Sequence, residues 1–523
     1  MHIPLTPIRF LDRATRLFGK NTAVVCEDSR FTYAELGERV ERLANALVDI
    51  GVKPGDRVAY LGFNCHRLLE CYYGILKMGA ILLPLNIRLA TQDIEYILND
   101  AEPVVVFVHP SFLSKLAPIL STVAPVKSYY LLEGMENPPE WVSGEYDALL
   151  GAASMQSRYS SFNFPFEEND TAELFYTSGT TGPPKGVMLT HRNLYIHALG
   201  LLASMPLWEK DIQMHLIPLF HVNGWGTPHY LTAKGGTHVM LKSFDPARAL
   251  ELVQREKVTK FYIVPTMMTM MLELPNLSSF DLSSMQDILI GGAPPPTGMC
   301  AHAESVFGCQ VHGAFGMSET CPVIAYPELH SGLDEATLKH RAHETWGFPV
   351  IGVEYKVVDT MDNELPWDGE SVGELLVRGD LVMKGYWNKP ESTAKALEGG
   401  WLHTGDLVSM EPDGSLIIRD RAKDIIISGG ENISSLEIEQ VLYSHPDILE
   451  CAVIGTKDLK WGEVPKAVVV AKPGSNLTGG EVVEFTRERL AHFKALRSAE
   501  VVEELPKGGS GKILKKKLRE LYG

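Results

Sequence analysis

The densest chemistry in this 523-residue chain lies in Tyr176-Thr-Ser-Gly-Thr-Thr-Gly-Pro-Pro-Lys-Gly-Val-Met-Leu-Thr-His191. Four hydroxyl side chains stand between positions 177 and 181, with glycines at 179 and 182 and a lysine at 185. Glycine lets backbone N–H groups approach an anion, hydroxyls add donors, and Lys185 adds a point of positive charge. Such a loop can hold a polyphosphate. It is not a P-loop, because the G-x-x-x-x-G-K-[ST] spacing is missing. No kinase Lys–Glu pair or His-Arg-Asp set accompanies it. Judged by composition alone, a surface turn has the same content.

The string is similar to the phosphate loop of the adenylate-forming superfamily: acyl-CoA synthetases, peptide-synthetase adenylation domains and beetle luciferases. Five more strings of that family follow in order. They are Gly313-Ala-Phe-Gly-Met-Ser-Glu-Thr320, Trp401-Leu-His-Thr-Gly-Asp406, Arg419-Asp-Arg-Ala-Lys-Asp424, Ser428-Gly-Gly-Glu-Asn432 and Pro506-Lys-Gly-Gly-Ser-Gly-Lys512. The resemblance runs from about residue 30 to about residue 517. It implies a two-step reaction. A carboxylate attacks the α-phosphorus of ATP to give an acyl-adenylate and pyrophosphate, and a thiol, usually that of coenzyme A, then displaces AMP. The protein needs no nucleophile of its own; it must hold two anions together and stabilise charge in flight.

By this resemblance Thr177, Ser178, Gly179, Thr180, Thr181, Gly182 and Lys185 hold the β- and γ-phosphates. Glu319 binds Mg²⁺, a hard cation suited to carboxylate and phosphate oxygens. Phe315 stacks on adenine where many relatives carry Tyr, and Ser318 replaces a common Thr. Gly292, Ala293, Ala314 and Gly316 complete the nucleotide site. Asp406 accepts from the ribose hydroxyls with Arg421 assisting. Lys512 reaches the α-phosphate and the carboxylate, with Gly508, Gly509 and Gly511 letting the backbone approach; Thr177, Glu319, His221 and Lys512 form the catalytic set. Lys423 is the hinge. Ser428, Gly429, Gly430 and Glu431 line the thiol tunnel after the C-terminal unit rotates. The segment 506–523 holds six basic residues against one acidic, and Lys515, Lys516 and Lys517 read as a solvated basic tail.

The acyl pocket is expected from His221-Val-Asn-Gly-Trp225, Met267 to Met271, and Gly291-Gly-Ala-Pro294 with Ala314 and Met317. Taken alone, His221 and Trp225 read as core residues at the end of an apolar strand. Phe220-His-Val-Asn-Gly-Trp225 resembles medium- and long-chain fatty acyl-CoA synthetases. These stretches contain no Arg or Lys to pair a second substrate carboxylate. A fatty acid is favoured, and an aryl carboxylate or a free-standing enzyme loading a carrier protein stays open.

These residues need a scaffold, and the periodicity supplies one. Thr32 and Glu35 make a capping-box pattern before a helix with Leu36, Val40, Leu43, Ala44 and Leu47 at helical spacing. Arg57 to Gly62, Ala80 to Leu85 and Val104 to Val108 read as strands, with a helix over Arg67 to Met78. Strands alternating with helices imply parallel βαβ units, and the pattern returns near 214–218, 237–241, 261–264 and 287–290. Turn-rich strands follow at Glu354 to Val358, Gly373 to Arg378 and Leu416 to Arg419. Beyond about residue 420 comes a compact α+β unit. The expected fold is therefore α/β: a body over 1–420 of βαβ subdomains plus a distorted β-barrel subdomain, and a small mobile α+β domain over 421–523.

Composition excludes other classes. Hydrophobic residues make up 45% of the chain, too many for disorder. The 48 Lys plus Arg against 65 Asp plus Glu leave a formal charge of −17, which argues against nonspecific nucleic-acid binding. Seven Cys without a C-x-x-C pair suggest free thiols in a reducing compartment. No signal peptide or membrane-length apolar run is apparent, and a cytoplasmic location is expected. Peripheral membrane contact and a homodimer remain open. The expected small-molecule partners are a carboxylic acid, ATP with Mg²⁺, and coenzyme A.

Overall fold

A computed structural model describes residues 3–123, 126–159, 163–177, 183–205, 207–296, 298–327, 345–508 and 512–523. Local signals behave as the periodicity predicts. Thr32 accepts from the Glu35 N–H and the Glu35 carboxylate answers the Thr32 N–H, opening the helix Tyr33–Asp49. That helix buries Leu36, Val40, Leu43, Ala44 and Leu47. The next helix, His66–Lys77, is buried at every residue but Arg67, because it runs between two sheets.

The first sheet has nine described strands. In space they run Phe348–Pro349, Val323–Tyr326, Gln310–Gly316, Asp287–Gly291, Lys260–Ile263, Ile212–His215, Thr237–Met240, Thr22–Cys26 and Ser29–Thr32. From Gln310–Gly316 to Thr22–Cys26 all neighbours are parallel. The second sheet has eight described strands, in the order Gly385–Tyr386, Lys185–Thr190, Thr171–Thr177, Ile81–Pro84, Arg57–Leu61, Val105–Val108, Ser128–Leu131 and Gly144–Glu145. One apolar core lies between these two sheets and joins them. A four-stranded antiparallel sheet, Val353–Val358, Gly373–Gly379, Leu402–Met410 and Leu416–Arg421, occupies the place of the expected barrel subdomain.

Sheet membership changes between Arg421 and Ile426. From there the strands Ile426–Ser428, Glu431–Ile433, Ile448–Asp458, Gly462–Ala471 and Ser498–Val502 form a separate sheet with cores of its own. Ser434 caps the helix Ser435–Tyr443. The pair Ile448–Asp458 and Gly462–Ala471 is longer than the apolar segments predict. The ladder continues through exposed Lys457, because backbone bonds need no apolar side chain to persist. The helix expected near 479–492 stops at Arg487.

Candidate active site

In parallel sheets, ligands gather beyond the carboxyl ends of the strands. Three of the expected acyl-site segments lie there. Gly291 ends one strand and sits in register with Ala314 on its neighbour. Ile263 leads into Val264 and the helix Pro265–Leu272, and His215 leads into residues 216–226. In that helix Met268 and Met271 are core residues, while Met270 is exposed.

The segment carrying His221 and Trp225 is not a strand end. Val222, Asn223, Gly224, Trp225 and Gly226 all have positive φ, from 33° to 85°. They form one left-handed turn before the helix Thr227–Lys234. L-residues seldom string together in this region, and each non-glycine there costs about 1–2 kcal/mol. The turn aims the Trp225 indole at the strand ends. A β-carbon on Gly291 would stand 2.9 Å from its ring, and one on Gly292 would stand 3.6 Å away. Tyr262 stacks on the indole at 5.8 Å between centroids. Apolar patterning missed this geometry, because φ is invisible to it. The Asn-Gly pair at 223–224 was the available signal.

The carboxylates expected at the nucleotide site are buried. Glu319 is 8% exposed, and its Oε1 accepts from the Tyr386 hydroxyl at 2.8 Å. Burial raises its pKa and that hydrogen bond partly opposes the rise. Lys185 reaches the same ring, with Nζ 4.9 Å from its centroid. Thr177 faces Lys185 across an antiparallel hairpin, so the ends of the expected phosphate loop are held together. Tyr386 was absent from the sequence-based site; its strand pairs with that hairpin, a neighbour only the fold reveals. Asp406 is 3% exposed and pairs with Arg421 Nε at 3.0 Å. Burial raises its pKa against the pull of Arg421, Lys512 and Lys423. Its Oδ2 is buried without a partner among the described residues, which suits a ribose hydroxyl donor. No group of three or more His, Cys, Asp or Glu among the described residues forms a metal cage. Mg²⁺ here would rest on Glu319 and on phosphate oxygens, as a weakly dehydrated hard cation does.

Lys512 reaches from the C-terminal unit toward the nucleotide-site residues of the body. The Gly508 N–H donates to the Lys512 carbonyl at 2.7 Å, and Lys507 faces Ile513 across an antiparallel bridge. The side chain enters the body, where its Cε would lie 3.3 Å from a β-carbon on Gly292. Desolvation and Arg421 push its pKa down from 10.5 to about 8, against the opposing pull of Asp406 and Glu319. His221 is also pushed down, to about 3, by burial and by Lys512. It is therefore an uncharged ring beside an ammonium.

Other expected residues fall in several places. Phe315, Ala314 and Ser318 are buried, Gly292 and Met317 are half-buried, and Ala293 is exposed. Gly316 has no room for a side chain, since a β-carbon would meet the Pro322 carbonyl at 1.8 Å. Ser178, Gly179, Thr180, Thr181, Gly182, Gly509 and Gly511 lie outside the described residues. Ser428 and Glu431 flank a two-residue turn at Gly429 (φ 61°) and Gly430 (φ 92°), packed on Trp461. No hydrogen bond or ion pair among the described residues joins that turn to the Lys512 cluster. Lys423 is one of the charges acting on Asp406 and Lys512. Lys515 is not a solvated tail residue. It donates to Ser435 Oγ at 2.7 Å and pairs with Glu439 at 2.8 Å, tying the last helix to its own unit.

The AMP-binding enzyme model matches residues 11–387, and the model of the AMP-binding enzyme C-terminal domain matches 437–512. The chain belongs to the AMP-binding enzyme family. It is similar to a feruloyl-CoA synthase of Amycolatopsis sp, with 38% identity over 512 residues that cover 98% of each chain. A medium-chain-fatty-acid–CoA ligase of Ectopseudomonas oleovorans is 35% identical over 528 residues, covering 98% of this chain and 95% of the other. The anthranilate CoA ligase AuaEII, solved with anthranoyl-AMP, superposes with a TM-score of 0.89 at 26% identity, covering 100% of this chain and 98% of that one. The AMP-binding enzyme is thus a ligase of the acyl- or aryl-CoA class, a class that works with ATP, Mg²⁺ and coenzyme A.

Proposed function

We propose that this ligase activates an apolar monocarboxylic acid as its acyl-adenylate and then forms the coenzyme A thioester. The observation that carries the reading is the meeting of Lys512 with Asp406, Glu319 and Gly292 beside Trp225. One ammonium there serves the α-phosphate and the acid together, where charge builds up. Asp406 and Arg421 take the ribose, and Thr177 and Lys185 take the phosphates. Mg²⁺ on Glu319 would neutralise phosphate charge. The arrangement suits adenylation. Thioester formation then requires rotation about Lys423, at the boundary between a body of 1–420 and a lid of 421–523. That rotation withdraws Lys512 and brings the turn Ser428–Glu431 to the thiol.

The tail of the acid is an aryl ring on this reading. Trp225 packs edge-close on Gly291 and Gly292 with Tyr262 stacked on it, so aromatic rings border the expected acyl segments. Feruloyl-CoA synthase and the anthranilate ligase are named for such acids. A fatty acid, favoured by the sequence string around Trp225, needs the indole to move. The seven cysteines are free and six are buried, which suits a reducing location such as the cytoplasm. Pyrophosphate release over a panel of aromatic and aliphatic acids, with and without coenzyme A, tests the reading. Aromatic acids should lead, Trp225→Ala should extend acceptance to longer chains, and thioester should form only with coenzyme A. Failure of every acid to elicit release refutes the enzyme reading, and a carrier protein replacing coenzyme A refutes the second step.

A further inference from the structure

We propose that Glu173 is a positioning residue for the acid site, a step that rests on the function proposed above. Glu173 is wholly buried, in the middle of the strand Thr171–Thr177 of the second sheet. Four residues further on, that strand becomes the phosphate loop. Its carboxylate reaches the other subdomain twice. Oε1 accepts from His229 Nε2 at 2.8 Å, and Oε2 accepts from Asn223 Nδ2 at 3.1 Å. Asn223 is itself wholly buried, and its Oδ1 accepts from the Gly226 N–H at 2.6 Å.

These contacts bracket the left-handed turn. Asn223 lies inside it, and His229 lies in the first turn of the helix that follows. A run of positive φ values at Val222, Asn223 and Trp225 persists only when its surroundings over-determine it. Glu173 supplies that determination from the strand that feeds the phosphate loop. One carboxylate therefore links the segment that holds the phosphates to the segment that presents His221 and Trp225. The adenylation step needs the acid and the α-phosphate in fixed relative positions, and a shift of about 1 Å costs roughly a hundredfold. Glu173 touches neither substrate; it acts through Asn223.

The test separates positioning from bulk stability. Glu173→Ala, Glu173→Gln, Asn223→Gly and the double variant Glu173→Gln/Asn223→Gly are assayed for pyrophosphate release with acid and ATP varied separately. Asn223→Gly is informative because glycine takes a positive φ freely, so it removes the link without adding strain. Glu173→Ala should lower kcat/KM for the acid roughly tenfold to a hundredfold while KM for ATP stays within about twofold. Asn223→Gly should do the same, with a lower melting temperature because Glu173 Oε2 and the Gly226 N–H each lose a buried partner. Glu173→Gln keeps one acceptor and should retain part of the activity. The double variant should be no worse than the poorer single one, because both break one link. Unchanged acid kinetics with only a lower melting temperature overturns the proposal, as do additive effects. Wild-type enzyme that responds to no acid overturns the proposed function and this proposal with it.

Discussion

The pKa of Lys512 makes a demanding prediction. In the closed arrangement it is pushed down from 10.5 to about 8 by burial and by Arg421. That difference corresponds to about 3 kcal/mol, an upper bound because the side chain keeps some solvent contact. At neutral pH this is the cost of bringing the charged ammonium into a site without substrate. The anionic phosphates and carboxylate offset it when they bind. Between about 8 and 10.5 the closed form holds fewer protons than the open one, so closure releases a proton and gains as pH rises. The closed form gained that way has lost the charge that adenylation uses. Pyrophosphate release should therefore show an alkaline fall in kcat/KM between those values. In kcat the fall should come at higher pH, since bound phosphates hold the proton on. Lys512→Ala should cost about a hundredfold to a thousandfold in adenylation and spare thioester formation from preformed acyl-adenylate. Lys512→Arg stays charged throughout and should flatten the alkaline limb, whatever its overall rate. The reasoning is refuted if Lys512→Arg keeps the wild-type limb, or if both half-reactions fall equally in Lys512→Ala.

Other residues give simpler tests. Asp406→Asn removes the buried acceptor Oδ2, and KM for ATP should rise roughly tenfold to a hundredfold, read by varying ATP at saturating acid. Tyr386→Phe deletes a hydrogen bond that stabilises the Glu319 carboxylate, so the Glu319 pKa should rise further. The acid limb of the pH–rate profile should then move to higher pH, and a shift to lower pH would contradict the assigned contact. Gly316→Ala would place a β-carbon 1.8 Å from the Pro322 carbonyl, and a loss of about 3 kcal/mol in denaturant unfolding is expected.

Much of the molecule was legible from local rules. A capping box depends on residues three apart, so Thr32 and Glu35 announced their helix directly. Apolar periodicity placed the strands Arg57–Leu61, Ile81–Pro84 and Val105–Val108 to within a residue or so, because burial on both faces leaves continuous apolar runs. The long motif strings picked out Lys185, Glu319, Asp406, Arg421 and Lys512, and the fold brings the last four within electrostatic reach of one another.

By itself, then, the sequence determined the chemistry these residues can perform, the order of the elements and the change of character near residue 420. Those are properties of side-chain type and of neighbours within a few positions. Tertiary structure alone decided which distant groups meet. It set Tyr386 between Lys185 and Glu319, and it turned Lys515 from a tail residue into an internal tie. It also wound Val222–Gly226 left-handed under the hold of Glu173, and it placed Lys512 inside the body. A backbone torsion held by a carboxylate fifty residues away leaves no local pattern. The pKa of a lysine that enters another domain depends on a dielectric that exists only after the chain has folded.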